Sequence, residues 1–130
     1  MAQYAKISDI KNNKEKVQSF REVPEISSSQ HKLDIINSNK KLVIYNYANW
    51  CAPCEACAPK VNELSEQHSK FGIIFVKENV DHNFIRHCNI EAVPCFHFYK
   101  NGQIQPDMSL NGMEEFEMIT ALNSLRDVNN

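Results

Sequence analysis

Residues 41–54 read KLVIYNYANWCAPC, and the rest of the sequence can be interpreted outward from them. Residues 41–48 are largely apolar on both alternating faces, which is the pattern of a strand buried in the centre of a sheet. Two cysteines with two residues between them, Cys51 and Cys54, follow closely. Pro53 favours the first turn of a helix, because its missing N–H is not needed there and its fixed φ is already helical. The stretch therefore predicts a buried strand that leads into a helix beginning at the cysteines.

The pair Cys51 and Cys54 indicates reversible dithiol chemistry. Two cysteines at this spacing can close a small disulfide ring, and the positive end of a helix beside them stabilises a thiolate. In a reducing compartment, a CxxC pair is interpreted first as a redox or a metal site. We expect Cys51, at the start of the helix, to be the exposed nucleophile.

The composition is that of one ordinary globular domain. The chain has 130 residues, of which 42% are hydrophobic and 23% charged, and its net charge is −2. The positive charges form no stripe or block, so we expect protein partners and no binding to nucleic acid. No apolar run approaches the ~20 residues of a membrane-spanning helix, and the first residues do not lead into a signal peptide. We therefore expect no membrane association and a cytoplasmic location.

Apolar periodicity and turn residues divide the chain into two parts. Residues 1–20 are polar but carry apolar residues at roughly helical spacing, so we interpret them as an N-terminal extension that can form a short amphipathic helix. Residues 21–130 form the α/β domain. Its first half is predicted to contain an edge strand at 21–26, a helix ending near 37–39, a strand at 41–48, a helix at 53–70 and a strand at 71–80. A short helix capped by Asp81 and carrying Phe84 and Ile85 follows, and then a strand at 93–99 and a turn at 101–102 with a return strand. The last predicted element is a helix with an apolar stripe of Phe116, Ile119, Leu122 and Leu125.

Four motifs make the sequence resemble the thioredoxin family over about residues 21–127. They are WCAPC at 50–54, Pro59 five residues after the second cysteine, Val93-Pro94 at the start of a strand, and KNG at 100–102. A lone CxxC is a weak signal, but a CxxC between strand and helix combined with a later Val-Pro is specific. The resemblance implies the thioredoxin fold, a central mixed β-sheet flanked by helices, with residues 21–130 as the thioredoxin-like domain.

The resemblance also implies roles for five positions. Cys51 is implied as the attacking thiolate and Cys54 as the resolving thiol, so that the two form a redox-active disulfide. Pro94 is implied as a cis proline that faces this disulfide and turns the backbone of Val93 toward a substrate chain, where it can form β-like hydrogen bonds. Trp50 is implied as the indole that covers the site.

The function implied by the resemblance is protein-disulfide reduction. Its partners are disulfide-containing client proteins and a flavoprotein of the thioredoxin reductase type that takes electrons from NADPH. No cofactor or metal need bind this chain, because the pair Cys51 and Cys54 carries the electrons. Three alternatives stay open: a specialised oxidoreductase with a narrow client, a redox-inert interaction domain on the same fold, and a metal or iron–sulfur binder in which Cys57 extends the pair to CxxCxxC.

The sequence departs from the family pattern at residues that can modulate the chemistry. Tyr45 stands where the family usually has a buried aspartate thought to take the proton of the resolving thiol, and Lys77 matches the lysine partner of that aspartate. A phenol, with a reference pKa of ~10, is a poor base near pH 7, so Tyr45 either slows turnover or only packs. Ala52 replaces the usual glycine between the cysteines and can tune the redox potential. Glu55 replaces a common lysine and makes the local field more negative.

Three further cysteines are present outside the CxxC pair. We interpret Cys57 as a small residue buried on the helix. Cys88, near the end of the predicted short helix, is a candidate for oxidative regulation. Cys95 directly follows Pro94, and we expect it to be at least partly buried beneath the site.

Overall fold

The structure is a computed structural model, and it describes residues 20–127. Within these residues the chain forms three α-helices and five β-strands. In chain order they are α1 Ser29–Ser38, β1 Lys41–Tyr47, α2 Ala52–His68, β2 Ile74–Asn79, β3 Cys95–Lys100, β4 Gln103–Ile104, β5 Leu110–Asn111 and α3 Glu115–Arg126. Short 3₁₀ turns lie at Ser69–Phe71, Val80–His82 and Pro106–Met108.

The strands form one mixed sheet in which β1 lies between β2 and β3. β1 pairs parallel with β2 and antiparallel with β3, and both β4 and β5 pair antiparallel with β3. Tyr45 of β1 lies opposite Lys77 of β2 and Phe96 of β3. The turn from β3 to β4 is made by Asn101 and Gly102, which have φ of 50° and 79°. Asparagine and glycine adopt this left-handed conformation at the lowest cost, as the sequence predicts for this turn.

Helices cover both faces of the sheet. On one face, Val43, Tyr45, Phe75, Phe96 and Phe98 of the sheet pack in the larger core with Val61 and Leu64 of α2 and Met118, Leu122 and Leu125 of α3. On the other face, a smaller core contains Ile26, Ile36 of α1, and Leu42, Ile44, Val76 and Tyr99 of the sheet. Full burial of each large apolar side chain contributes about 1.5–3 kcal/mol, so these two cores hold the CxxC junction in a fixed frame.

The predicted α/β fold with a central mixed sheet is confirmed, and β1, α2 and α3 lie close to their predicted positions. The edge strand predicted at residues 21–26 is reduced to a single parallel bridge between Glu25 and Lys77. The N–H of Ile26 donates to the carbonyl of Lys77 at 2.8 Å, and the N–H of Lys77 donates to the carbonyl of Pro24 at 2.9 Å. Pairing does not extend further because Pro24 has no N–H to donate.

The short helix predicted after β2 is wrong. The chain forms the 3₁₀ turn Val80–His82 instead, in which Asp81 is not the cap: the side chain of Asn79 accepts the N–H of Asp81 at 2.9 Å. Residues 83–93, which include Phe84 and Ile85, contain no helix or strand. β3 begins at Cys95, after Pro94, which cannot donate to a ladder.

The apolar stripe predicted for α3 is partly wrong. Leu122 and Leu125 are fully buried, but Phe116 is 77% exposed. The buried residues of α3 are Met118, Ala121, Leu122 and Leu125. Their spacing of three and four residues defines the face of α3 that meets the sheet.

The helix predicted within residues 1–20 lies outside the described residues, apart from Phe20. Between residues 20 and 127, none of the helices is long and apolar enough to cross a membrane.

Candidate active site

The disulfide between Cys51 and Cys54 lies at the junction of β1 and α2. Their Cα atoms are 5.3 Å apart. Cys51 is the N-cap of α2, and its Sγ accepts the backbone N–H of Cys54 at 3.1 Å. Pro53 occupies the first turn of the helix, as predicted. The sulfur of Cys51 therefore takes one of the free N–H groups of the helix start, where negative charge is favoured.

Both cysteines are buried in this oxidised state. Cys51 is 5% exposed and Cys54 is 2% exposed, whereas Ala52 and Pro53 between them are exposed. The expectation of an exposed Cys51 is therefore wrong for the disulfide form. Its sulfur points inward, bonded to Cys54 and 3.5 Å from the carbonyl oxygen of Val93.

Trp50 and the Val93–Pro94 peptide lie at the rim of the site. The Val93–Pro94 peptide is cis, as the resemblance implies. Trp50 is 70% exposed, and its Nε1 donates to the carboxylate of Asp81 at 3.0 Å. A cavity of about 260 Å³ opens beside the indole; it is lined by Trp50, Val80, Arg86, Ile90, Glu91, Ala92 and Val93. We refer to this cavity as the rim groove.

A second cavity, of about 240 Å³, lies behind the disulfide, and we refer to it as the rear cavity. Its lining contains both cysteines together with Tyr45, Tyr47, Ala48, Asn49, Glu55, Ala58 and Lys77. Among these lining residues, Glu55 is the one carboxylate and Lys77 the one ammonium. Tyr45 and Lys77 therefore both line the space behind the cysteines. Tyr45 stands where the resemblance implies a buried aspartate, and Lys77 matches the lysine partner of that aspartate.

Tyr45 uses its hydroxyl as a donor. It is 3% exposed, its OH donates to the carbonyl oxygen of Cys54 at 2.8 Å, and its ring stacks on Phe96 with centroids 5.2 Å apart. Burial, followed by the neighbouring Cys57, raises the pKa of Tyr45 well above its usual range. Tyr45 therefore stays protonated near neutral pH and cannot accept a proton from the resolving thiol.

Lys77 is engaged by groups other than Tyr45. Its ammonium lies 3.5 Å from the carboxylate of Glu22 and 5.4 Å from the ring centroid of Tyr47. Tyr47 in turn donates to Glu25 at 2.8 Å, and burial together with this carboxylate raises the pKa of Tyr47 to about 12. Lys77 thus lines the rear cavity with Glu22, an exposed carboxylate, as its ionic partner.

The three free cysteines of the described residues lie around the site in different environments. Cys57, which we expected to be buried, is half-buried and packs against the larger core; its Sγ is 3.8 Å from the hydroxyl of Tyr45, and burial raises its pKa. Cys95 is buried as expected, and burial raises its pKa to about 11. Cys88 is half-buried, with its Sγ 4.0 Å from the hydroxyl of Ser109.

Cys95 faces away from the disulfide side of the sheet, so the expectation that it lies beneath the site is wrong. It pairs with Asn46, whose side-chain Nδ2 donates to the carbonyl of Cys95 at 3.1 Å. Because successive strand residues alternate between faces, Asn46 and Cys95 point toward α1, while Tyr45 and Phe96 point toward α2. In the part of the chain that the structure describes, no group of three or more His, Cys, Asp or Glu side chains is placed to hold a metal ion.

Sequence reasoning missed the residues that line the rim groove other than Trp50 and Val93. Arg86, Ile90 and Glu91 belong to the irregular residues 83–93, which carry no periodic pattern. The available signal was their position, between Asp81 and the Val93-Pro94 motif, since a segment that ends at that motif must run past the cysteines.

The fold and the site define a class of protein: a mixed sheet flanked by helices, with a disulfide at the N-terminus of the helix that follows a central strand. A cysteine pair in this position can take up and release two electrons by thiol–disulfide exchange. The family model described as Thioredoxin matches residues 22–124. The chain therefore belongs to the thioredoxin family.

Individual relatives and solved structures agree with this family. A thioredoxin from Ictalurus punctatus is 40% identical over 70 residues, which are 52% of this chain and 65% of the relative. A thioredoxin-like protein from Fusarium culmorum is 34% identical over 93 residues, 69% of this chain and 74% of the relative. The oxidised form of mitochondrial thioredoxin 3 from Saccharomyces cerevisiae has a TM-score of 0.70 at 26% identity, covering 78% of this chain and 94% of that one. A thioredoxin from Plasmodium falciparum has a TM-score of 0.67 at 27% identity, covering 78% of this chain and 98% of that one.

The sequence match does not extend over the full length of every relative. The chain spans 65% of the thioredoxin from Ictalurus punctatus and 63% of one from Aspergillus fumigatus, just under two-thirds in each case.

Proposed function

We propose that this chain is a protein-disulfide reductase that acts by dithiol–disulfide exchange through Cys51 and Cys54. The observation that carries the proposal is the disulfide at the N-terminus of α2, with the N–H of Cys54 donating to the sulfur of Cys51 at 3.1 Å. The same N–H and the helix dipole stabilise a thiolate on Cys51 after reduction. Membership of the thioredoxin family supports the same chemistry.

The exchange proceeds in two steps that balance in electrons. The thiolate of reduced Cys51 attacks one sulfur of a client disulfide, which forms a mixed disulfide and releases the other client sulfur as a thiolate. Cys54 then loses its proton, and its thiolate attacks the Sγ of Cys51. This second attack closes the Cys51–Cys54 disulfide and releases the second client thiolate. Two electrons have passed from the dithiol to the client.

The residues around the disulfide have supporting roles in this proposal. Pro94 and Val93 position an extended client backbone against the sulfur of Cys51, and Trp50 shields one side of the reacting sulfurs. Support comes from the 3.5 Å between the Val93 carbonyl oxygen and the Sγ of Cys51. Pro53 stiffens the ring between the cysteines.

Three further residues modulate the reaction under the same proposal. Ala52, inside the ring, tunes the redox potential. Tyr45 holds the carbonyl of Cys54, and Lys77 supplies positive charge to the rear cavity. The support is the 2.8 Å hydrogen bond from Tyr45 and the presence of Lys77 in the cavity lining.

The proposal includes the partners of the cycle. The clients are disulfide-containing proteins, and a flavoprotein of the thioredoxin reductase type returns the pair to the dithiol state with electrons from NADPH. The redox-active group is the Cys51–Cys54 disulfide, with no bound cofactor, and neither nucleic acid nor membrane takes part. We place the activity in residues 21–130 and in the cytoplasm; cell fractionation with an antibody to the chain tests the location.

The test is insulin reduction with dithiothreitol as the electron source. Wild type is expected to accelerate precipitation of the insulin chains, and Cys51→Ser to abolish the acceleration. Cys54→Ser is expected to retain clients as stable mixed disulfides on Cys51, which nonreducing electrophoresis and mass spectrometry detect. Cys88→Ser is the matched control, because its thiol contacts Ser109 and not the disulfide.

Either of two results contradicts the proposal. One is a Cys51→Ser protein with wild-type insulin reduction. The other is a Cys54→Ser protein whose trapped clients are attached to a cysteine other than Cys51.

A further inference from the structure

A buried ion pair lies on the face of the sheet opposite the disulfide. The ammonium of Lys32 in α1 is 2.8 Å from Oε1 of Glu78 in β2, and the two side chains are 2% and 0% exposed. Buried charges lose their hydration, so a pair of this kind is a weak source of stability compared with apolar side chains of the same size. The arrangement calls for a reason other than stability.

Lys32 has a second partner, in the irregular residues 83–93. Its ammonium donates to the carbonyl of Ile85 at 2.7 Å, and the N–H of Ile85 donates to the hydroxyl of Ser29 at 2.9 Å. Two side chains of α1 therefore hold both backbone groups of a single residue. The side chain of Ile85 is 44% exposed, so burial does little to hold this residue in place. Glu78 orients the ammonium that makes one of the two bonds.

The segment held in this way forms a wall of the rim groove. We call residues 83–93 the wall segment; Arg86, Ile90, Glu91, Ala92 and Val93 of this segment line the groove beside Trp50. Because the wall segment contains no helix or strand, its backbone groups have no regular ladder of partners, and those of Ile85 are bonded by the side chains of Ser29 and Lys32. Its last residue, Val93, brings its carbonyl oxygen to 3.5 Å from the Sγ of Cys51.

Other polar contacts attach the wall segment to its surroundings. The hydroxyl of Tyr99 in β3 is 3.1 Å from Nδ1 of His87, and Arg86 donates to the carbonyl of Val80 at 2.9 Å. Of the contacts described, the pair of bonds to Ile85 is the one made from α1. Loss of that attachment frees the segment at Ile85, whereas Arg86 and His87 keep their bonds to Val80 and Tyr99.

We propose that Lys32 and Glu78 are positioning residues for client binding. The pair fixes the wall segment, and the wall segment presents a preformed groove to the polypeptide on either side of a client disulfide. A preformed groove avoids the entropy of ordering a loop when the client binds. The inference rests on the proposed disulfide reductase function and adds that recognition of a protein client depends on the opposite face of the sheet.

The test replaces both charges at once, with Lys32→Met and Glu78→Leu in one protein. Removal of a single partner leaves a lone buried charge, whereas an apolar pair of similar volume is commonly neutral or stabilising. The double variant is expected to raise KM for insulin ~5-fold, equivalent to about 1 kcal/mol, with a much smaller change in kcat. Amide hydrogen exchange at residues 85–92 is expected to accelerate.

A small aromatic disulfide serves as the comparison substrate, because it has no polypeptide to fill the groove. The ratio of the insulin rate to the small-disulfide rate is expected to fall ~5-fold in the double variant. Ser29→Ala, which removes the other bond to Ile85 and keeps the ion pair, is expected to shift the same ratio in the same direction. It tests the inference independently if the double variant does not fold.

Lys41→Met is the matched control. The ammonium of Lys41 also donates to backbone carbonyls, that of Phe71 at 3.3 Å and that of Arg126 at 2.9 Å. Lys41 is the first residue of β1, whereas the disulfide follows the last residue of this strand. Lys41→Met is expected to keep the wild-type ratio. An unchanged ratio and unchanged hydrogen exchange in the double variant overturn the inference, and so does an equal loss with both substrates. Failure of the proposed function is a different result, namely a wild type that reduces neither substrate.

Discussion

At the scale of single residues, Tyr45 is a buried hydrogen-bond donor at a position where the resemblance implies a proton-accepting aspartate. Its hydroxyl proton is committed to the carbonyl of Cys54 at 2.8 Å, and burial raises its pKa beyond the range in which it could act as a base. In the proposed mechanism, the proton of Cys54 must therefore pass to a group other than Tyr45, such as water or a substrate sulfur. We expect this to slow the release of the mixed disulfide.

The first prediction is that Tyr45→Asp speeds disulfide reduction near neutral pH. Residue 45 lies opposite Lys77 in the sheet register, so a carboxylate there gains a partner and can accept the proton of Cys54. We expect a gain of up to ~10-fold, below the 10²–10⁴ typical of general bases. Thermal stability should fall, because a carboxylate is buried and the lost ring leaves a cavity.

Stopped-flow rates on one disulfide substrate between pH 6 and 9 measure this effect, with Tyr45→Phe as the control. The phenylalanine variant keeps the ring but has neither the hydroxyl nor a carboxylate, so it should not become faster. If Tyr45→Asp remains folded and has the wild-type rate and pH profile, residue 45 has no part in proton transfer.

At the scale of elements, the N-terminus of α2 gives Cys51 an environment that differs from those of the free thiols. Cys51 occupies the N-cap position and its sulfur already accepts the N–H of Cys54. The free thiols at Cys57 and Cys95 have the opposite environment, since burial raises the pKa of both. The helix start therefore favours a thiolate at Cys51, whereas burial disfavours one at Cys57 and Cys95.

The second prediction is that reduced Cys51 has a pKa below the ~8.5 of an unperturbed cysteine. Thiolate absorbance at 240 nm against pH measures it, with Cys51→Ser to identify the signal. Glu55→Gln should lower the value further, because the carboxylate of Glu55 in the first turn opposes a second negative charge. A pKa at or above the reference value contradicts the role assigned to the helix start.

At the scale of the whole molecule, the face of the sheet under α1 makes stability depend on pH. His97 of β3 is 2% exposed on this face. Burial, followed by the charge of Lys32 on α1, lowers its pKa to about 4; Arg86 of the wall segment acts in the same direction, and the backbone of Asn89 opposes it. The unfolded chain takes up a proton at this histidine below about pH 6.5, while the folded chain does not until about pH 4.

The third prediction follows from this difference. The contribution of His97 to the free energy of unfolding is fully present above pH 6.5 and is lost as the pH falls toward 4. Between pH 7.5 and 4.5, wild type should lose roughly 2–3 kcal/mol more than His97→Gln. Urea unfolding at a series of pH values measures the loss, and His82→Gln at an exposed position is the control. Parallel curves for wild type and His97→Gln contradict the prediction.

The sequence alone was sufficient for the features that depend on neighbours in the chain. The apolar run of β1, the cysteine pair with Pro53, and the Asn101-Gly102 turn each express a local preference, of burial, of helix initiation and of left-handed backbone. These features gave the α/β fold, the position of the disulfide and the order of the main elements. The prediction for the segment after β2 was wrong, because Asp81 with the apolar pair Phe84 and Ile85 three and four residues later fits the start of a helix as well as a 3₁₀ turn and an irregular segment.

Only the tertiary structure decided which polar residues lie inside. Lys32 and Glu78 are far apart in the chain and resemble solvated residues, since nothing local distinguishes a charge that will find a buried partner from one that will face water. The same holds for Tyr45, whose role depends on two long-range contacts. Its hydroxyl donates to the carbonyl of Cys54, and Lys77 on the neighbouring strand is paired with Glu22 and not with residue 45. Long-range pairing brings these groups together and so sets the burial and the neighbouring charges of each side chain. Burial and neighbouring charge determine whether a side chain acts as an acid, as a hydrogen-bond donor or as a structural support, and the sequence does not encode them locally.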